Sequence, residues 1–315
     1  MDERWIAAAV IFLMSLHGLI LNMTVAIFAS RVTSLKNAFG RLSVSQAAGE
    51  AVFCSMYIFY YTLMVFFDIS AMMDKSNYAG VILSATYSIC SLSHLLIALN
   101  RLCAICAPTR YDIIFSVSNT NAMVIVTWTV AALSTVFINS YSGCSFMYKD
   151  EFYTFTFVSN ERTFCFEARN LYSSKDFTIL ALTLLFDLAT IIAVRRTAKA
   201  TKNMSGEVYA NHLMELKLLK QAVAQAAAFA VQISCVAFFS MVSDSKWMIW
   251  AFTAVAWNLL HLIDPVIIIA FNKEFRRLIL SLLKLSPSKP RKSHTVFHTR
   301  PLRSATPLTT ASAYL

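Results

Sequence analysis

Charge is what this sequence has least of. Only 14% of its 315 residues are Asp, Glu, Lys or Arg, while 57% are hydrophobic. A water-soluble domain of this size carries about 25% charged residues. The deficit argues against an ordinary soluble fold and for a second, apolar solvent, the lipid bilayer. Glycine and proline are scarce too, six of each. Membrane β-barrels are built from segments of alternating polarity separated by turn residues. This chain has long unbroken apolar runs instead, which read as helices. Zinc-type Cys/His spacing is missing, as is an aromatic-basic RNA-binding signature. The net charge of +10 is therefore not read as a nucleic-acid surface, because the basic residues sit in short connections and in the tail. No HExxH, no GxGD-type acid pair and no Ser–His arrangement falls in the runs, so no catalytic residue and no cofactor is assigned. Trp5–Ala29 is too long for a signal-peptide core of about 7–15 residues and reads as a first span.

What is present is seven apolar runs, each near the ~20 residues a membrane crossing needs. They fall at Trp5–Ala29, Leu42–Phe67, Tyr78–Cys106, Asn121–Gly143, Phe177–Val194, Leu218–Val242 and Trp247–Phe271. The fifth is short, with room to begin near Leu171. The predicted fold is an all-α membrane protein, a seven-transmembrane helix bundle. Basic residues collect on the cytoplasmic side of membrane proteins. With the N-terminus outside and the C-terminus cytoplasmic, twenty of the 27 lysines and arginines lie inside. Of seven cysteines, only Cys144 and Cys165 then lie on the oxidising side. They share one loop, and a disulfide between them is the expectation; two free thiols are the alternative. Lys273–Leu285 spaces Phe275, Leu278, Ile279, Leu282 and Leu283 among basic residues, the pattern of a short amphipathic eighth helix on the inner leaflet. The predicted division is a seven-transmembrane bundle over 1–285 and a disordered cytoplasmic tail over 286–315, rich in Pro, Ser and Thr.

Several stretches carry a family resemblance over about residues 15–285. They are Gly18-Leu-Ile-Leu-Asn22, the run Leu35 to Ala47, Ser93-His94-Leu-Leu-Ile-Ala-Leu-Asn100-Arg101, and Pro108-Thr-Arg-Tyr111. Cys144-Ser-Phe-Met-Tyr148, Asp264-Pro265 and Phe271-Asn272-Lys-Glu-Phe275-Arg276 complete the set. In order and spacing the chain resembles the nematode serpentine receptor class X chemoreceptors, among the rhodopsin-like G-protein-coupled receptors. It departs from the general pattern where Asn100-Arg101-Leu102 replaces Asp-Arg-Tyr. Ile268 replaces the tyrosine of Asn-Pro-x-x-Tyr, and the sixth span has no proline.

The resemblance implies a chemosensory receptor in the plasma membrane, sensory cilia included. A small molecule would bind from outside, and a heterotrimeric G protein would couple inside through Asn100, Arg101, Pro108 and Tyr111. For Arg101 the bland alternative is a positive-inside anchor. A transporter is the competing reading, as is an orphan seven-helix protein without G-protein coupling. Neither the internal repeats and broken helices common in transporters nor the seventh-span lysine of a retinal pump is present. The resemblance also implies that Asn22, Glu50 and Asp264 converge beside Pro265, where related receptors hold water or sodium. Two close carboxylates in a low dielectric cannot both ionise without a cation. Glu50 and Asp264 would then share a proton or hold a cation such as Na+; otherwise each acid bonds backbone or water separately. Pro265 leaves the His261 carbonyl without its helical donor. For the ligand pocket, Tyr61, Tyr87, Ser91, His94, Trp257 and Asn258 are candidates. His94 reads equally as a hydrogen-bonded bundle histidine, and the aromatics as interface anchors. No acid or base is expected in the outer pocket, which favours a small neutral or apolar ligand.

Overall fold

A computed structural model describes residues 3–141, 144–159, 165–200, 206–242 and 244–282; the predicted tail, 286–315, lies outside them. Among the described residues seven helices are long and apolar enough to cross a membrane. They are α1 (Glu3–Phe28), α2 (Ala38–Phe66), α3 (Ser76–Cys106), α4 (Val117–Tyr141), α5 (Cys165–Ala200), α6 (Gly206–Ala237) and α7 (Lys246–Phe271). Many large apolar side chains point away from the bundle, among them Leu13, Phe59, Ile125, Leu133, Leu185 and Val231. In water such a surface would drive aggregation; in lipid it is the matched face. The short helix α8 (Lys273–Leu282) follows. Asn272 caps it, accepting from the backbone N–H of Glu274 and Phe275 at 3.0 and 3.1 Å. Phe275, fully buried, anchors α8 to the bundle.

α3 is the hub, packed against α2, α4, α5 and α6, while α1 lies against α2 and α7. Two helices widen locally into π-helical turns, Tyr57–Thr62 in α2 and Ala251–Val255 in α7. Such turns re-aim side chains and recur at functional sites. These two carry Tyr57 and Tyr61, and bring Trp250 and Trp257 to their flanks.

The structure departs from the all-helical expectation in the loop between α4 and α5. Strands β1 (Cys144–Lys149) and β2 (Thr154–Ser159) form an antiparallel hairpin, pairing Cys144 with Ser159 through Lys149 with Thr154. The loop's strand-forming Phe, Tyr, Thr and Val alternate, a pattern too short to stand out beside the spans. A disulfide joins Cys144 to Cys165 at the start of α5, with the Cα atoms 4.8 Å apart. The fifth helix begins well ahead of Phe177, because Glu167, Arg169, Asn170, Lys175 and Asp176 dilute its hydropathy without breaking it.

The hairpin lies directly on α3. A Cβ added to Gly80 would meet the Phe146 carbonyl oxygen at 1.7 Å, so only glycine admits this approach. At the hairpin turn Tyr153 adopts a left-handed backbone, φ 49°. That conformation costs a bulky residue about 1–2 kcal/mol. The Tyr61 hydroxyl donates to its carbonyl at 2.7 Å and the Lys246 ammonium sits 3.6 Å from its ring centre. At the same end Arg4 pairs with Asp68 and Asp150, and Lys246 with Glu3.

Gly80→Ala should lower stability by about 1–3 kcal/mol, the usual cost of overpacking, read as a fall in the melting temperature of detergent-purified protein. Cys144→Ser should cost about 3 kcal/mol on the chain-entropy account of a loop this long. The same melt, run with and without reductant, checks it: reductant should lower the wild type and leave the variant unmoved.

Candidate functional site

The middle of the bundle holds a set of polar side chains where hydrocarbon would be expected. Glu50, Gln46 and Asn22 are buried, as are His94, His261 and Asp264. Gln46 and Glu50 are one turn apart on α2. An amide nitrogen carries two hydrogens, and Gln46 spends both on acids. It donates to Glu50 Oε1 at 2.8 Å and to Asp264 Oδ2 at 3.0 Å. His94 Nε2 of α3 lies 3.0 Å from the same Asp264 oxygen. Gln225 of α6 reaches Asp264 Oδ1 at 3.5 Å. The two acids are thus not satisfied separately; one amide serves both.

Pro265 withholds the N–H that would have bonded the His261 carbonyl. Asn22 of α1 supplies the missing donor, its Nδ2 at 2.9 Å. The α7 helix continues through the proline. Below it on α7, Asn258 accepts from Ser15 Oγ of α1 at 2.6 Å and donates to the Ala254 carbonyl at 2.9 Å. Asn22, Glu50, Asp264 and Pro265 therefore come together in one place. His94, proposed from sequence for the ligand pocket, joins this core instead. Asn258 is engaged in helix pairing, and Ser91 Oγ donates to the Ser88 carbonyl of its own helix at 3.2 Å. Gln46 was not singled out from sequence, although a buried amide four residues before a buried acid is a readable sign.

At the end of α3 away from the hairpin, Asn100 Nδ2 donates to the Tyr111 hydroxyl at 3.1 Å. Pro108 opens the short helix Pro108–Ile114 that presents Tyr111. Arg101 is 3% exposed, with its guanidinium 4.8 Å from the Phe39 ring centre. A headgroup anchor would snorkel outward; this guanidinium lies inside the bundle. Asp187 of α5 lies within electrostatic reach of Arg101 and His94.

The hairpin end is lined by aromatics. The Tyr57 and Tyr61 rings meet at a tilt, Trp250 Nε1 donates to the Tyr61 hydroxyl at 3.3 Å, and Trp257 meets Tyr87 and Phe146 with ring centres 5.2 and 5.6 Å apart. Tyr87 donates to Gln232 Oε1 at 3.1 Å. Tyr61, Tyr87 and Trp257 thus share one aromatic shell under the hairpin. Two charged side chains lie near this shell, beside Tyr172. Because α5 starts early, Lys175 and Asp176 lie on the helix and not in a loop. Lys175 Nζ donates to Ser88 Oγ of α3 at 2.8 Å, sits 3.3 Å from Asp176 Oδ1 and 3.9 Å from the Tyr172 ring centre.

The chain has relatives among known proteins. A family model described as "Serpentine type 7TM GPCR chemoreceptor Srx" matches residues 12–272. "Serpentine receptor class X-43" of Caenorhabditis elegans is 29% identical over 279 residues, 86% of this chain and 85% of that protein. "Serpentine receptor class X 45" of the same organism is 27% identical over 296 residues, 87% of this chain and 80% of its own length. In fold the chain matches squid rhodopsin with a TM-score of 0.74 at 14% identity, covering 90% of this chain and 88% of that one.

Removing the shared amide should be expensive. Gln46→Leu leaves two buried carboxylates short of a donor and should cost at least about 2 kcal/mol, against about 1 for losing an ordinary hydrogen bond. Tyr60→Phe, which loses only the bond to the Met72 carbonyl, is the comparison in a thermal melt. Equal losses in the two variants would contradict the shared role.

Proposed function

Starting from a chain that belongs to the Srx family of serpentine seven-transmembrane chemoreceptors, a chemosensory G-protein-coupled receptor by family and fold, we propose how its two ends divide the work. The hairpin end faces the outside and receives a small molecule, and the Arg101 end faces the cytoplasm and engages a heterotrimeric G protein. The lysine and arginine bias supports this orientation, as does a disulfide at the hairpin end. The cell's outer membrane is the site of action, sensory cilia included.

The single observation that carries the reading is the buried Arg101 beside Asn100 and Tyr111 at the end of the hub helix. A cation held inside a closed bundle is available to a partner only when the helices part. A ligand with higher affinity for the parted state shifts the population toward it. Between the ends, Glu50, Asp264, Asn22 and Pro265 act as the polar switch, with His94 as a member, holding one shared proton or a cation. The ligand site is formed by Tyr61, Tyr87 and Trp257 with Lys175 and Asp176 at its edge. The ion pair adds a polar contact to what is otherwise an aromatic wall.

Two measurements test this. In cells carrying a G-protein dissociation reporter, Arg101→Ala should abolish agonist-dependent nucleotide exchange while surface expression holds, scored on intact cells by an epitope carried on a flexible N-terminal leader. Staining only after permeabilisation would reverse the orientation. Ion flux without nucleotide exchange would favour a transporter. Glu50→Gln should change how basal exchange responds to pH or to sodium; unchanged responses to both would remove Glu50 from the switch.

A further inference from the structure

Beside the Glu50–Asp264 contact lies a second cluster that the hydrogen-bond network leaves unfinished. One carboxylate oxygen of Glu50 (α2), the Cys90 thiol (α3) and a ring nitrogen of His261 (α7) all lie within 4.8 Å of one another, and all three residues are buried. His261 is 0% exposed, and neither of its ring nitrogens has a hydrogen-bond partner among the described residues. A fully buried imidazole without a partner carries a desolvation penalty of about 1–3 kcal/mol. Its ring face is covered by Phe53, with centroids 3.9 Å apart, so the unmet need is at the nitrogens. Two more unpartnered atoms belong to residues bonded into the same core, Asn22 Oδ1 and Gln46 Oε1. Both are lone-pair donors. The neighbouring group of Glu50, His94 and Asp264 differs: Gln46 and His94 already close it.

We propose that Glu50, Cys90 and His261 form a site for a soft divalent cation of the Zn2+ class. The donor types decide the class. Sodium, calcium and magnesium take oxygen ligands, whereas a thiolate and an imidazole select zinc-like ions. Three mixed protein ligands with an open fourth position is a common zinc arrangement. A tetrahedral ion with bonds of about 2.0–2.3 Å holds its ligand atoms about 3.3–3.8 Å apart, so side-chain adjustments of about 1 Å complete the site. On binding, the Cys90 S–H bond breaks, sulfur keeps the electron pair and bonds the metal, and the proton leaves to solvent; no oxidant or reductant is involved. The ion joins α2, α3 and α7, the helices that also meet at the polar switch. The inference names a cation for the core proposed above, and it is tested by binding alone, without signalling.

The full-length receptor, purified in detergent and stripped with chelator, is titrated with ZnCl2 and separately with NaCl. Bound metal is counted by mass spectrometry and stability followed by tryptophan fluorescence on heating. The expected result is one zinc per receptor and a higher melting temperature with zinc but not with sodium. Co2+ in place of zinc should give a thiolate-to-cobalt charge-transfer band. Cys90→Ser should abolish that band and weaken zinc binding by at least about 100-fold, beyond what loss of an outer partner costs; Cys235→Ser, a control cysteine outside the cluster, should change neither. If Cys90→Ser fails to fold, loss of the cobalt band in His261→Gln serves the same purpose. No bound zinc, zinc binding that survives both substitutions, or stabilisation by sodium without the cobalt band would overturn the proposal, leaving water or an oxygen-bound cation in the core. A negative metal result with an altered Glu50→Gln signalling response would leave the switch reading intact.

Discussion

Asp264 is fully buried in a helix that faces lipid on one side, and nothing in hydrocarbon can solvate it. Its oxygens must be satisfied by other helices. Gln46 from α2, His94 from α3 and Gln225 from α6 do this, and meeting that demand fixes which face each of these helices turns inward. A charged or polar group in a low-dielectric interior is costly unless paired, so the network acts as a registration device as much as a functional one. The opening that Pro265 leaves in α7 works the same way. It exposes the His261 carbonyl, and Asn22 brings α1 against α7 to answer it. Apolar packing alone would allow the helices to rotate and slide; these polar demands do not.

The spans were legible because hydrocarbon imposes a length and a composition on every crossing, and seven runs meet both. The convergence of Asn22, Glu50, Asp264 and Pro265 was legible through the family-like residues. What the sequence hid had physical causes. The sequence allowed α5 to begin near Leu171, but its extension back to Cys165 was masked by charges such as Glu167 and Arg169, which lower hydropathy but do not oppose a helix. The hairpin is short and sits in a loop where no apolar run announces it. The π-helical turns in α2 and α7 have no sequence period of their own, yet they set the aim of Tyr61 and Trp257. His94 was ambiguous because its neighbours come from other helices, and helical spacing along α3 says only which way it points.

The two ends of the bundle are built differently. Under the hairpin, contacts are mostly between aromatic rings, which tolerate small shifts because stacking energy varies gently with geometry. Around Asp264, contacts are short hydrogen bonds among buried groups, which do not. In the proposed switch, a change of shape among the aromatics can be gradual, while the polar core would answer it by exchanging one bonded arrangement for another. Bistable elements of this kind turn small displacements into discrete states.

Glu3 and Arg4 lie at the first turn of α1 and are tied to Lys246, Asp68 and Asp150. The first turn of α1 is therefore part of the hairpin-end architecture. A fluorescent protein or affinity peptide fused without a spacer ahead of Glu3 would compete with those ion pairs and with the packing of α1 against α7. Reporters for this receptor belong on a flexible leader ahead of that turn.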